Sequence, residues 1–248
     1  KKALGQPSID ARLEALFARG IDPPSPQGGS GETSPEPSAR WPDRETVRAF
    51  VDEADTRVVH ALAHEDVGAE SVFTILEHEA MHQETLLYMS HRLPCDQKTR
   101  PAGYTPVVEG RVPDDEWIEI PAGRAVLGAD LSSRPFAWDN ELPAYEVDVP
   151  AFQIARHDVT NARYLEFVEA GGPPPLFWER ADGQWYWRGM FDRIPLPLSW
   201  PVYVSQADAT AYARWRGWRL PTEAEYQRAA EGATPCVCDF SSWDPEPA

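Results

Sequence analysis

The stretch Ile75-Leu76-Glu77-His78-Glu79-Ala80-Met81-His82-Gln83-Glu84-Thr85-Leu86 lies inside an apolar-periodic run from Ser71 to Leu93. At 100° per residue, Ile75, His78, His82, Leu86, Met89 and Leu93 share one face, which predicts a long helix. His78 and His82 fall about 40° apart on that face, in the middle of the stripe expected to meet a bundle core. Two imidazoles at i and i+4 can converge on one metal ion, and burial among apolar neighbours makes it costly to leave them unpaired. The competing reading is a pair of core histidines satisfied by hydrogen bonds. The same residues match H-E-x-x-H, in which Glu79 would be the general base of a zinc hydrolase. The longer metzincin pattern does not follow, because Thr85 stands where Gly is needed and Tyr88 where a third His is needed. No downstream helix offers a Glu as third ligand, since Glu109 and Glu116 fall in a linker.

The flanking sequence extends this helical character. Ser8 to Arg19 predicts a short helix, with Ser8 as cap, Ile9, Leu13, Leu16 and Phe17 as an apolar stripe, and Gly20 as stop. Pro23 to Pro42 is rich in Pro, Ser and Gly and predicts a mobile loop. Asp43 to Ala63 predicts a second helix with Val47, Phe50, Val51, Ala54, Val58 and Leu62 turned inward. His60 and His64 are also four apart, but beside Glu65 and Asp66 they read as solvated. His91 lies off the apolar face and reads as structural or exposed. Helices joined by loops, one of them long, suggest an up-and-down bundle.

The character changes near position 115. Nine of the ten tryptophans follow it, whereas five of the six histidines precede it, His157 being the exception. Two domains are therefore expected, 1–115 and 116–248. Arg100 to Asp115 reads as their linker, with Pro101, Gly103, Pro106, Gly110 and Pro113. In the second domain, Glu116 to Leu127 and Tyr145 to Ile154 carry strand-like runs, and Asn161 to Ala170 and Gln206 to Arg214 carry short helical patterns. Pro and Gly are expected to break the remainder. The tryptophans from Trp178 to Trp187 read as packing or interdomain contact, although an aromatic cage for a trimethylammonium group is the alternative.

The net charge of −17 argues against non-specific binding of nucleic acid or an anionic membrane, both of which need clustered positive charge. At 42% hydrophobic residues the chain can build a core. No apolar run approaches the roughly 20 residues needed to span a bilayer. Three cysteines, Cys95, Cys236 and Cys238, do not make a disulfide scaffold and suit a reducing, cytoplasmic compartment. The start shows no leader pattern; it is Lys1 rather than Met, and the sequence is read as a fragment.

Several phrases then occur in order: Ile120-Pro121-Ala122-Gly123, Asp139-Asn140-Glu141-Leu142-Pro143, Val159-Thr160-Asn161-Ala162-Arg163-Tyr164, Pro201-Val202-Tyr203-Val204-Ser205 and Arg219-Leu220-Pro221-Thr222-Glu223-Ala224-Glu225-Tyr226. From Glu116 to Ala248 the chain resembles the formylglycine-generating-enzyme domain, a C-type-lectin-like fold. The first domain, with His78-Glu79-x-x-His82-Gln83-Glu84, resembles a DinB-type bundle. Together they resemble the ergothioneine-type sulfoxide synthases and the related selenoneine synthases; Phe136-Ala137-Trp138-Asp139-Asn140-Glu141 and Phe240-x-x-Trp243-Asp244-Pro245 add to that likeness.

The expected fold is thus α+β, a DinB-like helical bundle followed by a formylglycine-generating-enzyme (C-type-lectin-like) domain. The resemblance implies a non-haem Fe(II) enzyme with O₂ as co-substrate. It would form a carbon–sulfur or carbon–selenium bond on the imidazole of hercynine, using a thiol or selenium donor. It makes His78 and His82 iron ligands and Met81 a substrate contact where many relatives place Gln; Glu79 and Glu84 are candidates either to orient the imidazoles or to serve the structure. The third histidine is not identified: either its helix lies upstream of this sequence or another histidine substitutes, and the family's catalytic tyrosine is expected beyond Ala248. Cys236-Val237-Cys238 reads as a variable loop rather than the copper pair of formylglycine enzymes. Arg219, Glu223 and Glu225 are expected to form salt bridges that hold loops, and Asp139 to Glu141 to bind loop amides, with a structural cation as an option. The rival readings are the H-E-x-x-H zinc hydrolase, a formylglycine-type protein-maturation enzyme and a non-catalytic binding module.

Overall fold

The computed structural model describes residues 7–17, 42–65, 67–233 and 242–248. The expected mobile loop up to Trp41, the stop at Gly20, Asp66, Phe240, and the cysteines Cys236 and Cys238 lie outside the described residues. The chain divides into two compact units, Lys1–His78 and Glu79–Ala248. The division falls inside a helix.

The first unit holds α1 (Ala11–Phe17), α2 (Arg44–His64) and the start of α3 (Ala69–Arg92). Asp10, not Ser8, caps α1: its carboxylate accepts from the amides of Arg12 and Leu13. Asp outcompetes Ser here because it stands directly before the first helical turn, where donors are unsatisfied. Asp43 caps α2 in the same way through the Thr46 amide at 2.7 Å. Arg57 reaches the Pro7 carbonyl at 2.9 Å, and Phe17 meets Phe50 with ring centroids 5.8 Å apart. Only Leu13 and Ala61 are buried among the described residues of this unit. Val51, Val58 and Leu62, expected to face inward, are exposed. The amphipathic pattern is present, but burial needs a second layer over the stripe, and none of the described residues provides one.

The second unit is a mixed α and β structure. β1 (Trp117–Ile120) pairs antiparallel with β4 (Phe152–Ala155), and β2 (Gly123–Leu127) with β3 (Tyr145–Val149). The two pairings share one register: Ile120 faces Phe152 and Gly123 faces Val149. They form one ribbon interrupted at Pro121 and Pro150, each of which lacks the amide hydrogen a ladder requires. A three-stranded meander follows: β5 (Trp178–Ala181), β6 (Gln184–Arg188) and β7 (Arg193–Pro195). α4 (Asn161–Glu169), α5 (Gln206–Trp215) and α6 (Glu223–Ala230) complete the unit, and α6 packs across β2 and β3. The meander and α6 correct the expectation that Pro and Gly would break everything beyond the first strands and helices.

The core of this unit is aromatic: Tyr164, Phe167, Phe177, Trp178, Trp187, Trp200 and Tyr212. Trp178 and Trp187 are buried in it, so this stretch packs, as expected, rather than forming a cage. The Val159-Thr160-Asn161 phrase ties α4 to the 197–202 segment. Thr160 caps α4, and buried Asn161 donates its side-chain amide to the Pro197 carbonyl and its backbone amide to Trp200, both at 2.8 Å. The segment from Arg100 to Asp115 has no helix or strand but is held at several points. Trp200 Nε1 donates to the Val107 carbonyl at 2.8 Å, Arg100 pairs with Asp192, and Asp115 pairs with Arg163 and Arg216.

Candidate functional site

α3 carries His78 and His82 one turn apart on a continuous helix, as the spacing requires. Their surroundings differ from expectation. His78 is half-buried and His82 exposed, and no residue of α3 is fully buried. Ile75 and Leu86, flanking the pair on its face, are 53% and 60% exposed, and Met89 and Leu93 are exposed as well. The stripe exists, but nothing among the described residues covers it, so the pair does not lie in a packed core. Glu79 accepts from the Gln83 side-chain amide at 3.3 Å, and Thr85 donates to the Met81 carbonyl at 2.8 Å. Met81 and Glu84 are exposed. Among the described residues, no cluster of three or more His, Cys, Asp or Glu side chains is placed to hold an ion. His78 and His82 thus supply two imidazoles, a donor type that metal ions of the first transition row accept, and the described residues bring no third such group to them.

The other histidines separate clearly. His60 and His64 are exposed as expected, with rings 4.8 Å apart and His60 Nδ1 3.8 Å from Glu65. His91 is half-buried and structural: it stacks on Phe177, and burial holds its pKa below the ordinary imidazole value. His157 is exposed at the mouth of a cavity in the second unit.

That cavity has a volume of about 650 Å³, within the range of small-molecule sites. Trp117, Tyr212, Trp218 and Tyr226 give it aromatic walls, and Arg219 and Glu225 lie at its edge. The ion pair is already complete within itself. Glu225 is buried and accepts from Arg219 Nη1 at 2.7 Å, Arg219 Nη2 at 2.5 Å and the Thr222 amide at 2.8 Å. The Arg219 guanidinium, followed by the Thr222 amide, holds the Glu225 pKa at about 2. This bears out the structural reading of Arg219 and Glu225, while Glu223 is exposed at the first turn of α6. Asp139 and Glu141 accept from the amides of Asn140 and Trp138, as expected of residues that hold a loop. No motif in the sequence points to the cavity, whose lining residues come from β1, β4, α4, α5, α6 and the loops between them.

Residues 105–239 match the sulfatase-modifying factor enzyme 1-like domain. The chain belongs to that family. Within the sulfatase-modifying factor enzyme 1-like family, the breadth of similarity differs from relative to relative. Ergothioneine biosynthesis protein 1 of Schizosaccharomyces pombe is 30% identical over 87% of this chain and 33% of its own length. Hercynine oxygenase of Mycolicibacterium smegmatis is 33% identical over 81% of this chain and 47% of its own. The formylglycine-generating enzyme of Mycobacterium tuberculosis is 34% identical, but over 48% of this chain and 52% of its own length. Similarity to the first two of these relatives thus extends well beyond the matched domain, as the motif resemblance implied. The chain spans between a third and a half of the length of those relatives.

Proposed function

We propose that this chain belongs to an oxygen-dependent enzyme that forms a carbon–sulfur or carbon–selenium bond on the imidazole of hercynine. The observation that carries the reading is the pairing of His78 and His82 one turn apart on α3, in a chain whose similarity to a hercynine oxygenase covers 81% of its length. In this reading, residues 1–115 are the DinB-like metal-binding bundle, 116–248 belong to the formylglycine-generating-enzyme-like domain, and the enzyme works in the cytoplasm on small molecules. Among the described residues, no helix is long and apolar enough to cross a membrane.

His78 and His82 hold Fe(II), with a third ligand from elsewhere. The iron, when bound, supplies the activation of O₂. Both imidazoles must stay neutral to ligate, so each presents one bare nitrogen and keeps a hydrogen on the other. Glu79, three residues before His82, is on the side from which a carboxylate can accept such a hydrogen, whereas Glu84, two residues beyond His82, falls on the far side of α3 and serves the helix rather than the ring. The thioether of Met81 offers a soft apolar surface to the substrate imidazole. The aromatic core of the second unit keeps the scaffold rigid, which is what placing two reactants for bond formation demands.

The test is O₂ uptake by the full-length protein reconstituted anaerobically with Fe(II), with hercynine present and the thiol or selenium donor varied. Uptake that needs iron, hercynine and one donor, and is abolished in His82→Ala, is the expected result and identifies the donor. Absence of hercynine-dependent uptake with every donor sinks the reading. Peptide hydrolysis without O₂ would put the zinc hydrolase in its place.

A further inference from the structure

The last turn of α3 is joined to the aromatic core of the second unit by one unusual side chain. His91 lies flat on Phe177, with ring centroids 3.8 Å apart and an interplanar angle of 10°. Its Nε2 stands 2.8 Å from the Arg188 carbonyl. A carbonyl only accepts, so Nε2 carries the hydrogen and donates it. The Trp187 ring completes the seat at 5.6 Å. Phe177 and Trp187 are both 2% exposed, so the seat is part of the rigid core rather than its surface. Arg188 reinforces it by donating to the Arg92 carbonyl at 3.4 Å and lying over the Phe177 ring at 5.0 Å.

No residue of α3 is fully buried, and His91 is where the helix meets the buried aromatic core. His91 is nine residues beyond His82. At 100° and 1.5 Å per residue, that puts it about 180° around the helix and about 13 Å along it. It therefore grips α3 on the side opposite His82. A flat ring stacked on a buried ring, with a directional bond near its plane, resists both rolling and tilting of the helix. A tilt of about 5° at this pivot would move His82 by about 1 Å, a displacement that can cost a hundredfold in rate where reacting groups must align.

We propose that His91 is a positioning residue, setting the roll and tilt of α3 and so the aim of His78 and His82. The role rests on the reading of that pair as metal ligands. It is tested in the full-length protein with three variants. His91→Phe keeps the ring on Phe177 and removes the donor. His91→Gln keeps a donor for the Arg188 carbonyl and removes the ring. His91→Ala removes both.

Co(II), titrated by its visible absorbance, reports the metal site without turnover. O₂ uptake with Fe(II) gives kcat and KM for hercynine. Melting without metal reports the fold. The expected result for His91→Ala is a loss of about 10-fold or more in Co(II) affinity and about 10- to 100-fold in kcat, with KM changed less than about threefold. His91→Gln and His91→Phe should each recover part of the loss. A purely structural role would lower the melting temperature and leave Co(II) affinity and kcat unchanged, and that result overturns the proposal. If His91→Ala does not fold, Co(II) affinity in the Phe and Gln variants equal to that of the unsubstituted protein overturns it. If the unsubstituted protein takes up no Co(II), the ligand reading and the positioning role fall together; a null result confined to the variants leaves the ligand reading standing.

Discussion

Glu225 shows how a phrase shared across a family can serve geometry. Its carboxylate takes three donors: both Nη atoms of Arg219 and the Thr222 amide, closing the box that starts α6. These donors stabilise the charged form and hold its pKa at about 2, against an ordinary value near 4.5. A depressed acid contributes stability that is complete above its unfolded pKa and is lost as pH falls through its folded pKa. The contribution should therefore persist at neutral pH and fade between about 4.5 and about 2. Glu225→Gln keeps the shape but turns an amide toward the guanidinium. It should cost about 1–3 kcal/mol at pH 7, the usual range for losing a charge-assisted hydrogen bond. Urea melts from pH 7 to pH 2.5 should show the gap between the two proteins closing. A gap that stays constant would mean the carboxylate charge is not what the site uses.

The elements differ in how legibly they were written. α2, α3, α4 and α5 lie within two residues of their expected bounds, because each has an apolar period and most have a polar cap. β1 to β4 also coincide with the expected strand runs. α6 was missed because its eight residues, Glu223–Ala230, carry no apolar stripe; the Thr222 to Glu225 capping box was the available signal. The meander was missed because β5 and β6 are rich in aromatic residues without clean alternation. Its signal was Asp182-Gly183, which sits between them with φ of 50° and 80°, the paired left-handed geometry of a tight hairpin. The histidine pair was legible as a spacing, but its exposure was not, since the presence of a covering layer is not written in one helix. Two glycines allow a test at this scale. Gly128 has φ of 79°, and a Cβ there would lie 2.7 Å from the Glu141 and Pro143 carbonyl oxygens, whereas Gly183 has φ of 80° and open space. Gly183→Ala should cost only the backbone penalty, about 1–2 kcal/mol. Gly128→Ala should cost more, about 3 kcal/mol or above, because backbone must also move. Equal losses in chemical melts would mean the loop at Asp139–Glu141 yields freely.

At the scale of the whole chain, the two units differ in how much apolar surface their described residues bury. The second unit buries seven large aromatic residues in one cluster, with Trp200 and Tyr164 fully enclosed. Trp200 also donates to the Val107 carbonyl, tying an irregular segment to that cluster. In the first unit Leu13 and Ala61 are the buried residues among those described, and Leu62 on α2 is 54% exposed. Burial of apolar area is what stabilises a fold, so equal truncations should have unequal effects. Trp200→Ala should cost about 3–5 kcal/mol, the range for emptying a packed aromatic site, and should release the 100–115 segment to proteolysis. Leu62→Ala should stay within about 0.5 kcal/mol, as for a surface position. The comparison is made by urea unfolding of the same full-length protein, read by tryptophan fluorescence and by far-ultraviolet circular dichroism. A loss of several kcal/mol in Leu62→Ala would show that the α2 stripe is covered in solution. That would restore the packed bundle its periodicity calls for. A small loss would show that α2 is held without a core built on this stripe.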